Sequence, residues 1–391
     1  MNVRLGGRCL ALTGLVALAA LATGCSDHDP IAFDGPLPIA PGPGFASGTV
    51  FIVSSEGTAE NLAVLSMDIN TGRLGMLTGS PLNSGIVIGD VETLASDLSR
   101  RRVFFGGSGG GALGVFDIDA MGRLIQVTGS PFPAERGTPS AIKTSPTGDM
   151  IYIGYHSESI ISRYAVDGAG TLTLAQTIST APASHVETML QVGDVLYVGF
   201  LNNSQIVGYQ LDSAGAFSVD GMHNPITVAN VTTNLRPDYL NVIGDKLYCS
   251  LANDGSIDAF QIETNGDLTR LAGAPYEFPG IGLYELIAVR PGGTHIAVGS
   301  ELPPSVALYS VNGDGSLTPS GQPVSLHSGQ GGPEGMAFSA DGRFLYVCDH
   351  IGGGLYAFEI TNDVLGFAPE ARYELPGSQI DVLRLNINVT P

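Results

Sequence analysis

The chain has 391 residues, 17 Lys and Arg against 37 Asp and Glu, and a formal net charge of −20. That field repels nucleic acid and anionic lipid surfaces, and it disfavours an anionic substrate unless a local basic pocket exists. Charged residues make up only 14% while glycine reaches 54 residues, so short apolar strands cut by glycine turns are expected rather than amphipathic helices.

The chain opens with Arg4 and Arg8 ahead of an apolar run, Leu10 to Thr23. The run is too short for a comfortable membrane span and suits a secretory signal. It ends in Leu21-Ala22-Thr23-Gly24-Cys25. Small residues just before a cysteine are the pattern of a bacterial lipoprotein signal. Residues 1–24 are then expected to be removed and Cys25 to carry lipid. Ser26 follows instead of aspartate, which favours the outer membrane, facing the periplasm or the surface. Residues 25–48, with Pro30, Pro36, Pro38, Pro41 and Pro43 among glycines, are expected to be a stiff tether. Cys249 and Cys348 lie in strands of non-neighbouring repeats and read as buried hydrophobes, not a disulfide.

From residue 49 to 391 one unit recurs: an apolar strand, a polar turn with glycine, then Leu or Phe. Its copies are VLSMDINTGRL, VFDIDAMGRL, RYAVDGAGTL, GYQLDSAGAF, AFQIETNGDL, LYSVNGDGSL and AFEITNDVLGF. The turn glycines are assigned as Gly72, Gly122, Gly170, Gly215, Gly266, Gly315 and Gly366. The first copy is expected to have the shorter turn and the last the longer. A strand–turn–strand precedes each unit, as in SAIKTSPTGDMIYI and ELIAVRPGGTHIAV. Four strands per period predict an all-β, seven-bladed β-propeller. Residues 49–54 match a second strand and 381–386 a first strand. The termini should therefore share one blade and close the ring, which removes two exposed edges.

The seven first strands align on an acidic position: Glu92, Ser140, Glu187, Asp238, Glu285, Glu334 and Asp381. Six are acids, and the first strand lines the channel. Two carboxylates about 8 Å apart repel by about 2 kcal/mol at an effective dielectric near 20 and by about 0.5 in water. Water, protonation, local N–H donors or a bound cation has to offset this. Oxygen-only ligands favour Ca²⁺ or Mg²⁺. A structural role, a cation site and direct catalysis all stay open for these acids. The loops on the same face carry His156, Glu301 and His350, and His185 lies just before Glu187. Histidine beside carboxylate suits general acid–base work, and ordinary surface placement is the alternative. The G-x-S-x-G at 106–110 falls in a β-turn rather than at a strand-to-helix elbow.

The stretches GPEGMAFSADGRFLYV, SELPPSVALYSVNGDGSLTP and IDAFQIETNGDLTRLAGAPY resemble the seven-bladed propeller lactonases, the 6-phosphogluconolactonase-like and carboxymuconate-cyclase-like proteins. The resemblance covers about residues 49–391 and implies the propeller fold. It also implies basic residues at the starts of inner strands. Here Pro333-Glu334-Gly335, Leu283-Tyr284-Glu285 and Pro139-Ser140-Ala141 lack them, which argues against a phosphorylated sugar lactone. Glu301 matches a family glutamate. Three functions remain: a lipid-anchored, monomeric propeller binding a small neutral ligand or envelope protein, with a cation at the acidic mouth; a hydrolase or cyclase acting on a non-phosphorylated lactone; and a structural envelope protein.

Overall fold

The computed structural model describes residues 37–38, 41–42, 50–55, 61–87, 93–97, 100–107, 111–120, 122–223, 225–228, 236–326, 332–349, 354–374 and 383–389. All lie in one compact unit, Pro36–Pro391. Their strands form seven sheets. Sheet 1 holds Val50–Ser55, Leu62–Met67, Leu74–Leu77 and Leu383–Val389. Sheet 2 is built on Leu94–Asp97, Arg102–Gly106, Ala112–Ile118 and Leu124–Gln126. Sheet 3 is Pro139–Thr144, Met150–Tyr155, Ile160–Val166 and Leu172–Ser179. Sheet 4 is Val186–Val192, Val195–Phe200, Gln205–Leu211 and Phe217–Met222. Sheet 5 is Pro237–Ile243, Lys246–Leu251, Ser256–Ile262 and Leu268–Arg270. Sheet 6 is Gly282–Val289, His295–Leu302, Pro304–Val311 and Leu317–Ser325. Sheet 7 is Pro333–Phe338, Phe344–Asp349, Gly354–Thr361 and Val364–Glu374.

The first strand of each sheet packs on the first strand of the next, around a full circle that returns from Leu383–Val389 to Leu94–Asp97. This is the closed propeller that the repeat predicts. Val50–Ser55 pairs antiparallel with Leu383–Val389, Ile52 opposite Asn386 and Val53 opposite Leu385. The two chain ends thus share sheet 1.

No single core exists. Each apolar layer lies between two neighbouring sheets. Tyr152 and Ile161 of sheet 3 pack with Leu196, Val198 and Phe217 of sheet 4. Ala63, Leu65 and Met76 of sheet 1 pack with Phe344, Tyr346 and Leu355 of sheet 7. Second-strand glycines let the sheets approach. A Cβ on Gly154 would stand 2.2 Å from the Val186 side chain of the next sheet.

A buried tyrosine reinforces four of these contacts. The hydroxyls of Tyr152, Tyr197 and Tyr248 donate to the carbonyls of Gly215, Gly266 and Gly315, each at 2.8 Å. Tyr346 donates to Gly72 across the closure seam at 2.7 Å. The acceptors are the repeat's turn glycines, whose positive φ angles permit the tight turn. Burial pushes the Tyr197 hydroxyl up to about 12, so it remains a donor at neutral pH.

Three details differ from the sequence reading. The last unit turns at Asn362-Asp363, both at positive φ. Gly366 lies inside Val364–Glu374, because a two-residue hairpin matches strand twist without it. That turn is shorter than the others. The first is longer, its Gly72 N–H reaching back four residues to Asp68 where Gly170 reaches back three to Asp167. Last, the proline-rich segment is paired at two places. Leu37–Pro38 lies parallel to Tyr373–Glu374 of sheet 7, and Pro41–Gly42 parallel to Met76–Leu77 of sheet 1. These two short pairs lie on the outer strands of sheets 7 and 1. Cys249 and Cys348 are both fully buried.

Candidate functional site

The aligned acidic position has a backbone signature. In five first strands the pairing register slips across a single residue: Ser140, Glu187, Asp238, Glu285 and Glu334. An extra residue in one strand of a pair is a β-bulge, which re-aims the side chain at the strand end. The acids are thus the bulge residues of the inner strands, at the end of the ring opposite the turn glycines. Glu92, His350, Asp381 and Cys25 lie outside the described residues, as do Ser108 to Gly110 of the G-x-S-x-G stretch. For Glu285 and Glu334 the structure describes the backbone alone.

Sheets 3, 4 and 5 bring four expected residues together with one that was not expected. Glu187 is buried, 1% exposed. Its Oε2 lies 2.9 Å from Nε2 of His185. Its Oε1 accepts a hydrogen bond from Nη2 of Arg236 at 2.8 Å. The same Nη2 lies 3.3 Å from Oδ1 of Asp238. His156, just past the end of the second strand of sheet 3, lies tilted against His185 with ring centroids 3.7 Å apart and 51° between planes. Its backbone N–H is held by the Thr138 carbonyl at 3.2 Å. Ser140 Oγ donates to the Val186 carbonyl at 2.6 Å and ties sheet 3 to sheet 4.

The electrostatics follow from these contacts. Burial alone would raise the Glu187 carboxyl, but the His185 contact and the Arg236 guanidinium outweigh it and hold it below its ordinary range. Glu187 is an anion at neutral pH, and the protein supplies its counter-charge. For Glu187 and Asp238, the repulsion expected of a carboxylate ring is offset by a shared guanidinium. Among the described residues no group of three or more His, Cys, Asp or Glu has the arrangement of a metal centre.

Arg236 is the residue the sequence reading missed. It stands two residues before Asp238 in Asn234-Leu235-Arg236-Pro237-Asp238, just as His185 stands two before Glu187. A cation at that offset from a bulge acid was the available signal. The absence of basic residues therefore holds for sheets 3, 6 and 7, whose residues two before the bulge are Thr138, Leu283 and Gly332, and not for sheets 4 and 5. His185 has φ +63°, costly for a side chain other than glycine. Leu283 has φ +54° at the matching place, so sheet 6 makes the same kink without an imidazole. Glu301 sits at the end of its sheet 6 strand opposite Pro304, half-buried, one sheet beyond Arg236.

Comparison with known proteins bears on the fold that carries this arrangement. No protein-family profile matches the chain. A 6-phosphogluconolactonase of Serratia proteamaculans (strain 568) is 24% identical over 295 residues, covering 73% of this chain and 85% of that protein. The periplasmic gluconolactonase of Pseudomonas aeruginosa superposes with a TM-score of 0.70 at 18% identity, covering 88% of this chain and all of the other, 100%. The chain shares the β-propeller fold of these lactonases. A candidate 6-phosphogluconolactonase of Bacteroides fragilis agrees, with a TM-score of 0.70, 17% identity and coverage of 88% and 98%. Within this lactonase-type fold, the His156–His185–Glu187–Arg236–Asp238 cluster spans three consecutive blades.

Proposed function

We propose that the chain is a hydrolase of uncharged lactones, acting where His156, His185 and Arg236 meet. One observation carries this reading: a buried carboxylate, Glu187, contacts an imidazole on one oxygen and a guanidinium on the other. Lactone hydrolysis needs a group that moves protons and a donor for the oxyanion. The imidazoles supply the first. Arg236 supplies the second, because its guanidinium carries five N–H donors in a planar fork beside the buried carboxylate. Glu187 orients both side chains. Water attacks the ring carbonyl carbon, the acyl–oxygen bond breaks, and the ring oxygen leaves protonated as the hydroxyl of a hydroxy acid.

The same charges argue for a substrate without phosphate. Arg236 faces two carboxylates within 3.3 Å, and the chain is strongly acidic overall. The names of the relatives support lactone chemistry better than a binding role. The lipid-anchored ligand binder, the cation at the mouth and the outer-membrane location rest on the sequence patterns alone. An anchor at Cys25 would place the hydrolase in the envelope, and Cys25→Ser would then release it from the membrane fraction.

The test is acid release, followed in a pH-stat, over a panel of uncharged γ- and δ-lactones with 6-phosphogluconolactone as the contrast. Turnover of the uncharged lactones, reduced about 10²–10³-fold by Arg236→Lys, supports the reading. A folded wild-type protein that hydrolyses none of the panel rejects it.

A further inference from the structure

The chain contains two Asn-Gly pairs, Asn265-Gly266 and Asn312-Gly313, in matching turns of sheets 5 and 6, away from the acidic bulges. Glycine after asparagine leaves the backbone nitrogen unshielded, so that it can approach the asparagine Cγ. The two pairs are held differently. Asn265 closes an Asx turn: its Oδ1 accepts from the Asp267 N–H at 3.1 Å and its Nδ2 donates to Asp267 Oδ2 at 2.8 Å. Gly266 is the turn glycine, buried, with φ +87°, and its N–H donates to the Glu263 carbonyl at 2.9 Å. Asn312 instead opens its turn. Gly313 is exposed, a Cβ there would meet nothing within 4 Å, and among the described residues its N–H has no acceptor. The place taken by Asn312 holds Asp68, Asp119, Asp167 and Asp212 in sheets 1 to 4. Asp167 and Asp212 each accept two backbone N–H groups on Oδ1. In sheet 6 the Ser316 N–H goes to Asp314 Oδ1 instead. The Asn312 side chain is held only through Nδ2, which donates to Ser316 Oγ at 2.9 Å and Thr318 Oγ1 at 3.0 Å.

We propose that Asn312 is a site of spontaneous covalent modification, converting to aspartate through a cyclic imide with Gly313, while Asn265 is protected by its turn. The Gly313 nitrogen gives its proton to solvent base and bonds to Cγ of Asn312. The Cγ–Nδ2 bond breaks, and that nitrogen takes a proton from water and leaves as ammonia. Water then adds to one imide carbonyl and a carbon–nitrogen bond of the ring opens. The sum is one water consumed and one ammonia released, with no change of oxidation state and one negative charge gained. Opening at Cγ gives aspartate, the residue that sheets 1 to 4 carry at this place. Opening at the other carbonyl gives isoaspartate, which adds Cβ to the main chain. The Asn312 carbonyl accepts the Gly315 N–H at 2.9 Å, and the Gly315 carbonyl accepts the Tyr248 hydroxyl of sheet 5 at 2.8 Å. Isoaspartate lengthens this turn and loosens the contact between sheets 5 and 6; aspartate keeps it. The modification is independent of the lactone reading, since the turn lies at the opposite end of the sheets from His185 and Arg236.

The test holds the folded chain in mildly alkaline heavy-oxygen water and follows both asparagines by peptide mass mapping, since imide opening builds in one solvent oxygen. Asn312 should convert at least about tenfold faster than Asn265 in the folded protein, because only its neighbouring nitrogen is open. In urea, where both turns are lost, the two rates should draw together. Gly313→Ala should slow Asn312 by about tenfold or more, since the methyl group shields the nitrogen, and the open space at Gly313 lets the variant fold. Equal rates in the folded chain, or a faster Asn265, overturn the proposal: the Ser316 and Thr318 hydroxyls then hold the Asn312 amide in place. Conversion undiminished in Gly313→Ala overturns the imide route. Asn312→Asp supplies the aspartate form directly, and its urea midpoint should match that of the wild type. The isoaspartate form, separated by ion exchange from aged protein, should unfold at lower urea. A midpoint lowered as far in Asn312→Asp overturns aspartate as the form the turn accepts.

Discussion

The two ends of the inner sheets obey different rules. At the turn end, one contact recurs with little variation: Tyr152, Tyr197, Tyr248 and Tyr346 reach the turn-glycine carbonyls of the next sheet at 2.7–2.8 Å. At the opposite end the backbone still repeats, with a bulge at the same place in five sheets. The side chains two residues earlier do not repeat. They are Thr138, His185, Arg236, Leu283 and Gly332. Repetition therefore builds the scaffold, and departure from it builds the site. His185 and Arg236 stand on adjacent sheets, where one carboxylate serves both.

The strongest way to break this contrast is to make sheet 5 look like sheet 6. Arg236→Leu copies Leu283 and leaves the buried Glu187 without its guanidinium. Lactone turnover should fall at least 10²-fold. Stability should fall by about 2–4 kcal/mol, read by urea denaturation, since an uncompensated buried carboxylate is costly. At the turn end the opposite pattern is expected. Tyr197→Phe leaves the Gly266 carbonyl without its donor and should cost about 1–2 kcal/mol, while the lactone turnover proposed for the folded protein should be unchanged.

A pH series sharpens the comparison further. Burial, reinforced by Arg290 and opposed by Asp363, holds the His295 imidazole below its ordinary value of 6.5. A histidine favoured as the neutral ring contributes stability above that value, and the contribution is lost as pH falls from there toward the lowered folded value. The carboxyl of Glu187 is depressed instead, so its contribution survives to lower pH. It fades only as pH falls below the ordinary carboxylate range, about 4. Stability curves should thus weaken in two stages, and His295→Gln should flatten the upper one alone. The smallest effect is expected from divalent cations. With Arg236 between Glu187 and Asp238, millimolar Ca²⁺ or Mg²⁺ should move the unfolding midpoint of the wild type little. Arg236→Leu exposes the two carboxylates to each other and should increase the response. An equal, large shift in both proteins would place a cation at other acids of the mouth.

The sequence by itself determined the scaffold, because propeller repeats write their periods into apolar spacing and turn glycines. Strand count, ring closure through residues 50–55 and 383–389, and the common register of Glu187, Asp238, Glu285 and Glu334 all follow from that local pattern. It also marked His185 and Glu187 as neighbours, since two positions along one strand start are close in any fold. Three things waited for the tertiary structure. Turn length at Asn362-Asp363 depends on hairpin twist, which a glycine count does not measure. The pairing of Leu37–Pro38 and Pro41–Gly42 depends on which sheet edges stand open beside the seam. The site itself depends on sheet neighbours: His156 meets His185 from 29 residues away, and Arg236 meets Glu187 from 49 residues away. No period in the sequence records those approaches. Charge pairing across a blade interface is set by the angle at which packed sheets bring their strand ends together.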